Sequence, residues 1–253
     1  MNKLIALLSL FCFLQFQCFS QQIETDRPDQ TESSSLVPFK SLQIETGYLF
    51  DQNDDGVNAL ESQTTPTTLL RLGVSKLFEL RIVNDLYALN YGINPNKLNL
   101  AWQIGTKIKI LNSEKYKTKI AFLSHLVFPK FEGVFNSNYG TINRILISRE
   151  FGERINIGAN IGYDYFEEKG NLTYTLALGL KLSEKFGFFI EPFGEYSNLE
   201  EFVNKFDCGF TFLPTEKIQL DVYAGTSLHK KSIEKPSNLF VGFGVSWLLH
   251  PLK

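Results

Sequence analysis

From residue 155 to residue 165 the chain reads INIGANIGYDY, and every second position is apolar. Ile155, Ile157, Ala159, Ile161, Tyr163 and Tyr165 alternate with Asn156, Gly158, Asn160, Gly162 and Asp164. Successive side chains of a strand point to opposite faces, so this period of two predicts a strand with one apolar and one polar face. LTYTLALGLKL repeats the pattern, with Leu172, Tyr174, Leu176, Leu178, Leu180 and Leu182 set against Thr173, Thr175, Ala177, Gly179 and Lys181. The same alternation predicts strands over 41–50, 67–75, 79–87, 99–111, 117–128, 139–151, 155–165, 172–182, 186–196, 206–213, 218–226 and 238–247. That is about twelve strands, an even number, and the helical period is nearly absent. In 79–87 and 139–151 the pairs Ile82-Val83 and the run Ile145-Leu146-Ile147 break the alternation and leave open which face is which.

The connections alternate as well. Those around 76–78, 112–116, 152–154, 183–185 and 214–217 are short, while 51–66, 90–97, 129–138, 166–171, 197–205 and 227–237 are generally longer and more polar. Short turns on one side and long loops on the other are the pattern of an up-and-down antiparallel transmembrane β-barrel, with both termini on the periplasmic side. A soluble barrel or sandwich can show the same alternation with its apolar face turned inward. Three features favour the membrane: strands of about 9–11 residues that suit a tilted bilayer crossing, a strand number too high for one compact soluble barrel, and an export signal.

That signal is the leader MNKLIALLSLFCFLQFQCFS, with a positive start at Lys3, an apolar stretch from Leu4 to Phe19, and a cleavage position after Ser20. Cys18 offers a lipoprotein alternative, for which Gln17 is a poor preceding residue. The organisation expected is therefore a signal peptide over 1–20, a polar segment over 21–40, and a barrel over 41–253. Cys12 and Cys18 leave with the leader and Cys208 stays alone, so no internal disulfide can form. Aromatics make up 14% of the chain, with 23 Phe and 10 Tyr against a single Met, which favours strands over helices. Loss of Lys3 leaves 24 basic residues against 27 acidic ones, a balance that excludes a nucleic-acid surface.

Against this frame the run IETDRPDQTESSSLVP, followed by the strand SLQIETGYLF, resembles the N-terminal signature of the outer-membrane family named for the meta-pathway of phenol degradation. RLGVSKLFELRI at 71–82 resembles that family's next recurring feature, a strand ending in a tight turn before a Glu-Leu-Arg strand. IGTKIKI at 104–110 and the final strand FVGFGVSW fit by pattern. The resemblance implies a barrel and a part in the uptake of aromatic compounds. One departure is the end of the chain, where Trp247 is followed by LLHPLK; either the assembly signal is unusual or the last strand runs on to Leu249.

Candidate chemistry is sparse. A lipid-active enzyme would need a nucleophile and a base within reach. Of the three histidines, only His125 falls inside a strand, and its neighbour Ser124 points to the opposite face. No spacing matches a metal site, and no bound cofactor is expected. What remains is the polar face. Glu45, Asp85, Glu191, Glu195, Asp207 and Asp221 and the bases Arg71, Arg81, Lys107, Lys109 and Lys181 would line an interior. Such charges either ring a water-filled pore or close the lumen with salt bridges. The Thr-Asp-Arg-Pro core of the N-terminal run suggests that Glu24 to Thr31 folds back among them, with Glu24, Asp26, Arg27 and Asp29 narrowing the periplasmic half. The expected protein is a monomeric channel of the outer membrane of a Gram-negative bacterium. Its partners would be outer-membrane lipids, small-molecule solutes and the barrel assembly machinery. A sealed structural barrel and, less favoured, a lipid-active enzyme are the competing readings.

Overall fold

A computed structural model describes residues 22–28, 30–54, 59–91, 94–131, 134–135, 139–166, 169–197, 201–228 and 237–249. Its elements are β1 (Leu42–Asp54), β2 (Ala59–Gly73), β3 (Phe78–Tyr91), β4 (Asn94–Ser113), β5 (Thr118–Phe131), the two-residue β6 (Val134–Phe135), β7 (Gly140–Phe151), β8 (Ile155–Phe166), β9 (Lys169–Lys181), β10 (Phe186–Ser197), β11 (Glu201–Thr215), β12 (Ile218–Ser227) and β13 (Ser237–Leu249). Each long strand is antiparallel to its neighbours in the chain, β5 pairs with β7, and β13 returns to pair with β1. Twelve long strands thus close a barrel. Closure satisfies every ladder and removes the open edges that hydrocarbon would not tolerate.

Leu42 lies opposite Leu249, so the barrel begins and ends at one rim. The tight turns after β2, β4, β7, β9 and β11 lie at that same rim. Lys117, at φ 49°, and Gly152, at φ 68°, supply the left-handed backbone that two of them need. At the other rim the strands run further than their alternation suggests: β1 continues to Asp54 and β2 starts at Ala59, well inside the stretch read as a loop over 51–66. Backbone groups go on pairing there, Asp51 with Ser62 and Asn53 with Leu60, where the sequence shows no clean period of two. The last strand runs on to Leu249, one of the two readings left open by the chain's ending. The leader lies outside the described residues.

Burial resolves the direction of the faces. The largest fully buried side chains include Arg71, Arg81, Lys107, Glu45, Glu79, Glu191 and Asp207, whereas Ile161 is 65% exposed, Ile110 61% and Phe243 52%. The barrel is polar inside and apolar outside, which rules out the soluble arrangement for this fold. The two ambiguous strands also resolve. In β3, Glu79, Arg81, Val83 and Asp85 face inward while Leu80 and Ile82 face outward; in β7, Leu146 is buried while Ile145 and Ile147 are exposed. The breaks in alternation arise because Val83 and Leu146 are apolar residues on the luminal face.

Candidate functional site

The N-terminal segment enters the lumen and returns to the rim from which it came. At its start the Ile23 amide donates to the Glu216 carbonyl at 2.8 Å, and Ile23 packs with Val37, Leu248 and Leu213. At its end the Lys40 amide donates to the Gly73 carbonyl at 2.8 Å. Between these anchors the described residues form no helix or strand, so their backbone groups need other partners. The inner wall supplies them. The Asp26 and Arg27 amides donate to the Glu45 carboxylate at 3.0 and 3.1 Å, the Gln30 amide to Glu191 at 2.6 Å, and the Val37 amide to Glu79 at 2.7 Å. In the other direction Gln43 donates to the Glu24 carbonyl at 2.9 Å, Arg71 to the Ser35 carbonyl at 2.9 Å, and Lys107 to the Ser33 carbonyl at 2.7 Å. A polar inner face is therefore the condition for holding an irregular segment in place.

Charge sets the centre of this contact. Arg71 on β2 and Arg81 on β3 are direct cross-strand partners, a like-charge juxtaposition that repels unless anions intervene. Glu79 and Asp26 intervene. Arg71 lies 2.8 Å from Glu79, 2.9 Å from Glu45 and 3.3 Å from Asp26. Arg81 lies 2.5 Å from Asp26, 3.1 Å from Glu79 and 2.9 Å from Glu32. Lys107 on β4 adds a third cation 3.0 Å from Asp26. Burial by itself would raise the Asp26 carboxyl, but Arg71, Lys107 and Arg81 outweigh it and hold the group well below the ordinary carboxylate range. Glu32, likewise buried, is lowered by Arg81 and Arg144 against that burial. Arg144 also lies 3.2 Å from Glu32 and 3.3 Å from Asp164.

Arg27 reaches to another part of the wall, past β1 and β13. Its guanidinium pairs with Asp221 on β12 at 3.1 Å and lies 5.9 Å from the centre of the Tyr223 ring. The space it occupies is opened by Gly47 and Gly244, which are cross-strand partners on β1 and β13; a Cβ on either would collide with the guanidinium. Gly244→Val should therefore expel Arg27 and separate it from Asp221. Crosslinking between a cysteine at position 27 and one at position 221 would not report this, but accelerated proteolysis of the segment at the turn rim would, and an unchanged cleavage rate would contradict it.

The sequence matches the family model described as "Putative MetA-pathway of phenol degradation" over residues 25–251. The chain belongs to this family. Among curated protein sequences none matches it. Among solved structures it is similar to the COG4313 outer membrane channel from Pseudomonas putida F1, with a TM-score of 0.65 at 10% identity over 89% of this chain and 100% of that one. It is also similar to the NanC porin, with a TM-score of 0.56 at 10% identity over 81% of this chain and 98% of that one. The KdgM porin follows, with a TM-score of 0.54 at 7% identity over 80% and 98%. At these identities the likeness is one of fold, that of bacterial outer-membrane channels and porins.

In this family member the match begins at Thr25 and so takes in the luminal segment. Of the residues singled out from sequence, Glu24, Asp26, Arg27, Glu45, Arg71, Arg81, Lys107 and Glu191 meet around that segment. Lys109 and Glu195 do not; each is half-buried and, among the described residues, joins none of its ion pairs. Lys109 lies two residues nearer the turn rim than Lys107, and Glu195 lies towards the far rim, beyond the segment's reach. Asp29 lies outside the described residues. Lys181, also read as luminal, pairs with Glu184 at the rim at 2.8 Å.

Residues that the sequence did not single out complete the site: Glu32, Glu79, Lys119 and Arg144, with Gln43 and Gln219. Lys119 lies 2.9 Å from Glu24, and Gln219 donates to Thr25 at 2.7 Å. Glu79 shares the phase of Arg81, a signal hidden by the ambiguity of β3. His125 is buried beside Arg81, whose Nε donates to His125 Nε2 at 3.0 Å. Nδ1 must then carry the proton and donate to Gln103 Oε1, 2.9 Å away. The ring's one lone pair, on Nε2, is taken up by Arg81, and Ser124 donates to Asn143 at 2.8 Å. Beside the segment lies a cavity of about 590 Å³, bordered by Thr31, Glu32, Gly158, Ala177, Gly179 and Phe189 among others. On the same inner wall, Phe189, Tyr223 and Phe240 pack inward with Leu49 and Phe193, an aromatic patch in a largely polar lumen.

Proposed function

We propose that the protein is a passive outer-membrane channel for small solutes, among them apolar or aromatic compounds, with the turn rim facing the periplasm and the segment from Glu24 to Val37 as its constriction. The observation that carries this reading is the segment itself, anchored inside the barrel by ion pairs to Arg71, Arg81 and Lys107. It leaves a cavity of about 590 Å³ along the β8–β10 wall. Rings of opposed charge at a narrowing are the means by which a passive pore selects what passes. The inward aromatic patch offers a surface for the apolar part of a solute beside that narrowing. Membership of a phenol-degradation family points the same way. It acts as a monomer, inserted by the barrel assembly machinery, and performs no covalent chemistry.

The test is conductance and solute flux. Folded protein in planar bilayers should give discrete steps, and in liposomes it should admit small aromatic carboxylates faster than disaccharides of larger cross-section. A correctly folded barrel that gives neither steps nor flux would favour a sealed structural barrel, in which the same ion pairs serve stability alone.

A further inference from the structure

Glu191 on β10 and Asp207 on β11 stand directly opposite each other in the ladder, which places their Cβ atoms about 5 Å apart. Both side chains are fully buried in the lumen. The acids that the segment contributes have bases close by: Glu24 has Lys119, Asp26 has Arg71, Arg81 and Lys107, and Glu32 has Arg81 and Arg144. Asp221 has Arg27. Among the described residues, Glu191 and Asp207 have no such base. Glu191 is at least bonded by the segment, through the Gln30 amide at 2.6 Å and the Thr31 hydroxyl. Apart from Glu191 itself, which could share a proton with it, neither oxygen of Asp207 has a hydrogen-bond partner. Two buried carboxylates at this spacing are costly unless a positive charge joins them.

We propose that Glu191 and Asp207 bind a calcium ion between β10 and β11, with the Thr31 hydroxyl of the luminal segment at its edge. The donors are all oxygens, which suit a hard cation, and Thr31 lies 2.6 Å from the Thr175 hydroxyl, so a fourth oxygen-bearing side chain is at hand. They come from two adjacent strands and an irregular segment. Such a set fits calcium, which tolerates uneven geometry, better than magnesium, which demands an octahedron. Because Glu191 also holds Gln30 and Thr31, the ion fastens the far end of the segment to the wall opposite Arg71 and Arg81. That last consequence rests on the channel reading; the binding does not.

Calorimetric titration of the full-length protein, folded in detergent, decides the matter. One calcium per barrel should bind saturably, with magnesium weaker and sodium without measurable effect. Asp207→Asn should fold as well as the parent, since it removes a repulsion without changing shape, and should weaken calcium binding at least about tenfold. The double variant Asp54→Asn, Asp55→Asn, at the last residue of β1 and the position that follows it, should keep it. Equal binding by Asp207→Asn would place the ion elsewhere, and no saturable binding at millimolar calcium would favour a proton shared between the two acids; either result overturns the proposal. If calcium binds at this pair, chelation should raise conductance in bilayers; binding by a protein that shows no conductance upholds the site and removes the channel reading instead.

Discussion

Deletion of residues 22–35 should leave a folded barrel that conducts at least about threefold more than the parent in planar bilayers, because an interior twelve strands wide loses the matter that narrows it. The strand ladders close without the segment: every long strand pairs on both sides, β1 with β13 included. What the deletion removes is a set of contacts with the inner wall. Gln43, Glu45, Glu79, Glu191 and Gln219 lose backbone or side-chain partners, and water in the widened lumen can replace them. Arg71 and Arg81 lose Asp26 from between them but keep Glu79, and Arg71 keeps Glu45. Their repulsion should lower the thermal midpoint without preventing folding. The measurements are the shift between folded and heat-unfolded mobility in gel electrophoresis, which checks the barrel, and single-channel conductance, which checks the pore. Unchanged conductance in a folded barrel would return the segment to the status of a tail that happens to lie inside.

The fold was legible in the chain because membrane barrels write their two environments into alternate residues. INIGANIGYDY announces its faces so clearly that Ile161 and Asn160 could be placed without coordinates, and Ile161 is indeed exposed while Asn160 is buried. The rule weakened where one face stopped being uniform. Val83 and Leu146 are apolar residues inside a largely polar lumen, and each blurs the phase of its strand; with β3 unphased, nothing in the sequence marks Glu79 as the bridge between two arginines. Strand ends at the far rim are hidden for another reason, that the backbone goes on pairing past the residues that alternate. The site was legible as a composition, a polar Asp-Arg-Pro run next to a wall of charges. Its reach was not. Nothing in one dimension tells how far a segment penetrates, and so Lys109 and Glu195, on the right face but at the wrong height, were indistinguishable from Lys107 and Glu191. The roles of Lys119 and Arg144 depend on the fold bringing β5 and β7 against residues some 90 to 110 positions earlier, as their bonds to Glu24 and Glu32 show.

Asp26→Asn should undock much of the same segment by the change of a single charge. Asp26 is the shared partner of Arg71, Arg81 and Lys107, and its two oxygens are buried among them. An amide of the same shape accepts fewer charge-assisted bonds and turns donors towards cations. The three bases are then left facing Glu45, Glu79 and Glu32 without the anion at their centre. Removing one member of a buried ion cluster costs on the order of 3–5 kcal/mol, and because lumen water can reach the freed cations the low end applies here. About 3 kcal/mol corresponds to roughly a hundredfold shift in docking, so conductance should approach that of the deletion, while Asp26→Glu should stay near the parent. The effect of pH separates charge from shape. Since the folded-state pKa of Asp26 is depressed, the stabilisation from this group is complete above the ordinary carboxylate value of 3.8 and fades only as the pH falls through its lower folded value. The Asp26 anchor should thus hold at pH 4.5 as it does at pH 7, and Asp26→Asn should be open at both. A segment that Asp26→Asn leaves docked, by proteolysis and conductance alike, would mean that the backbone bonds to Glu45, Glu191 and Glu79 hold it and that the cations merely accommodate it.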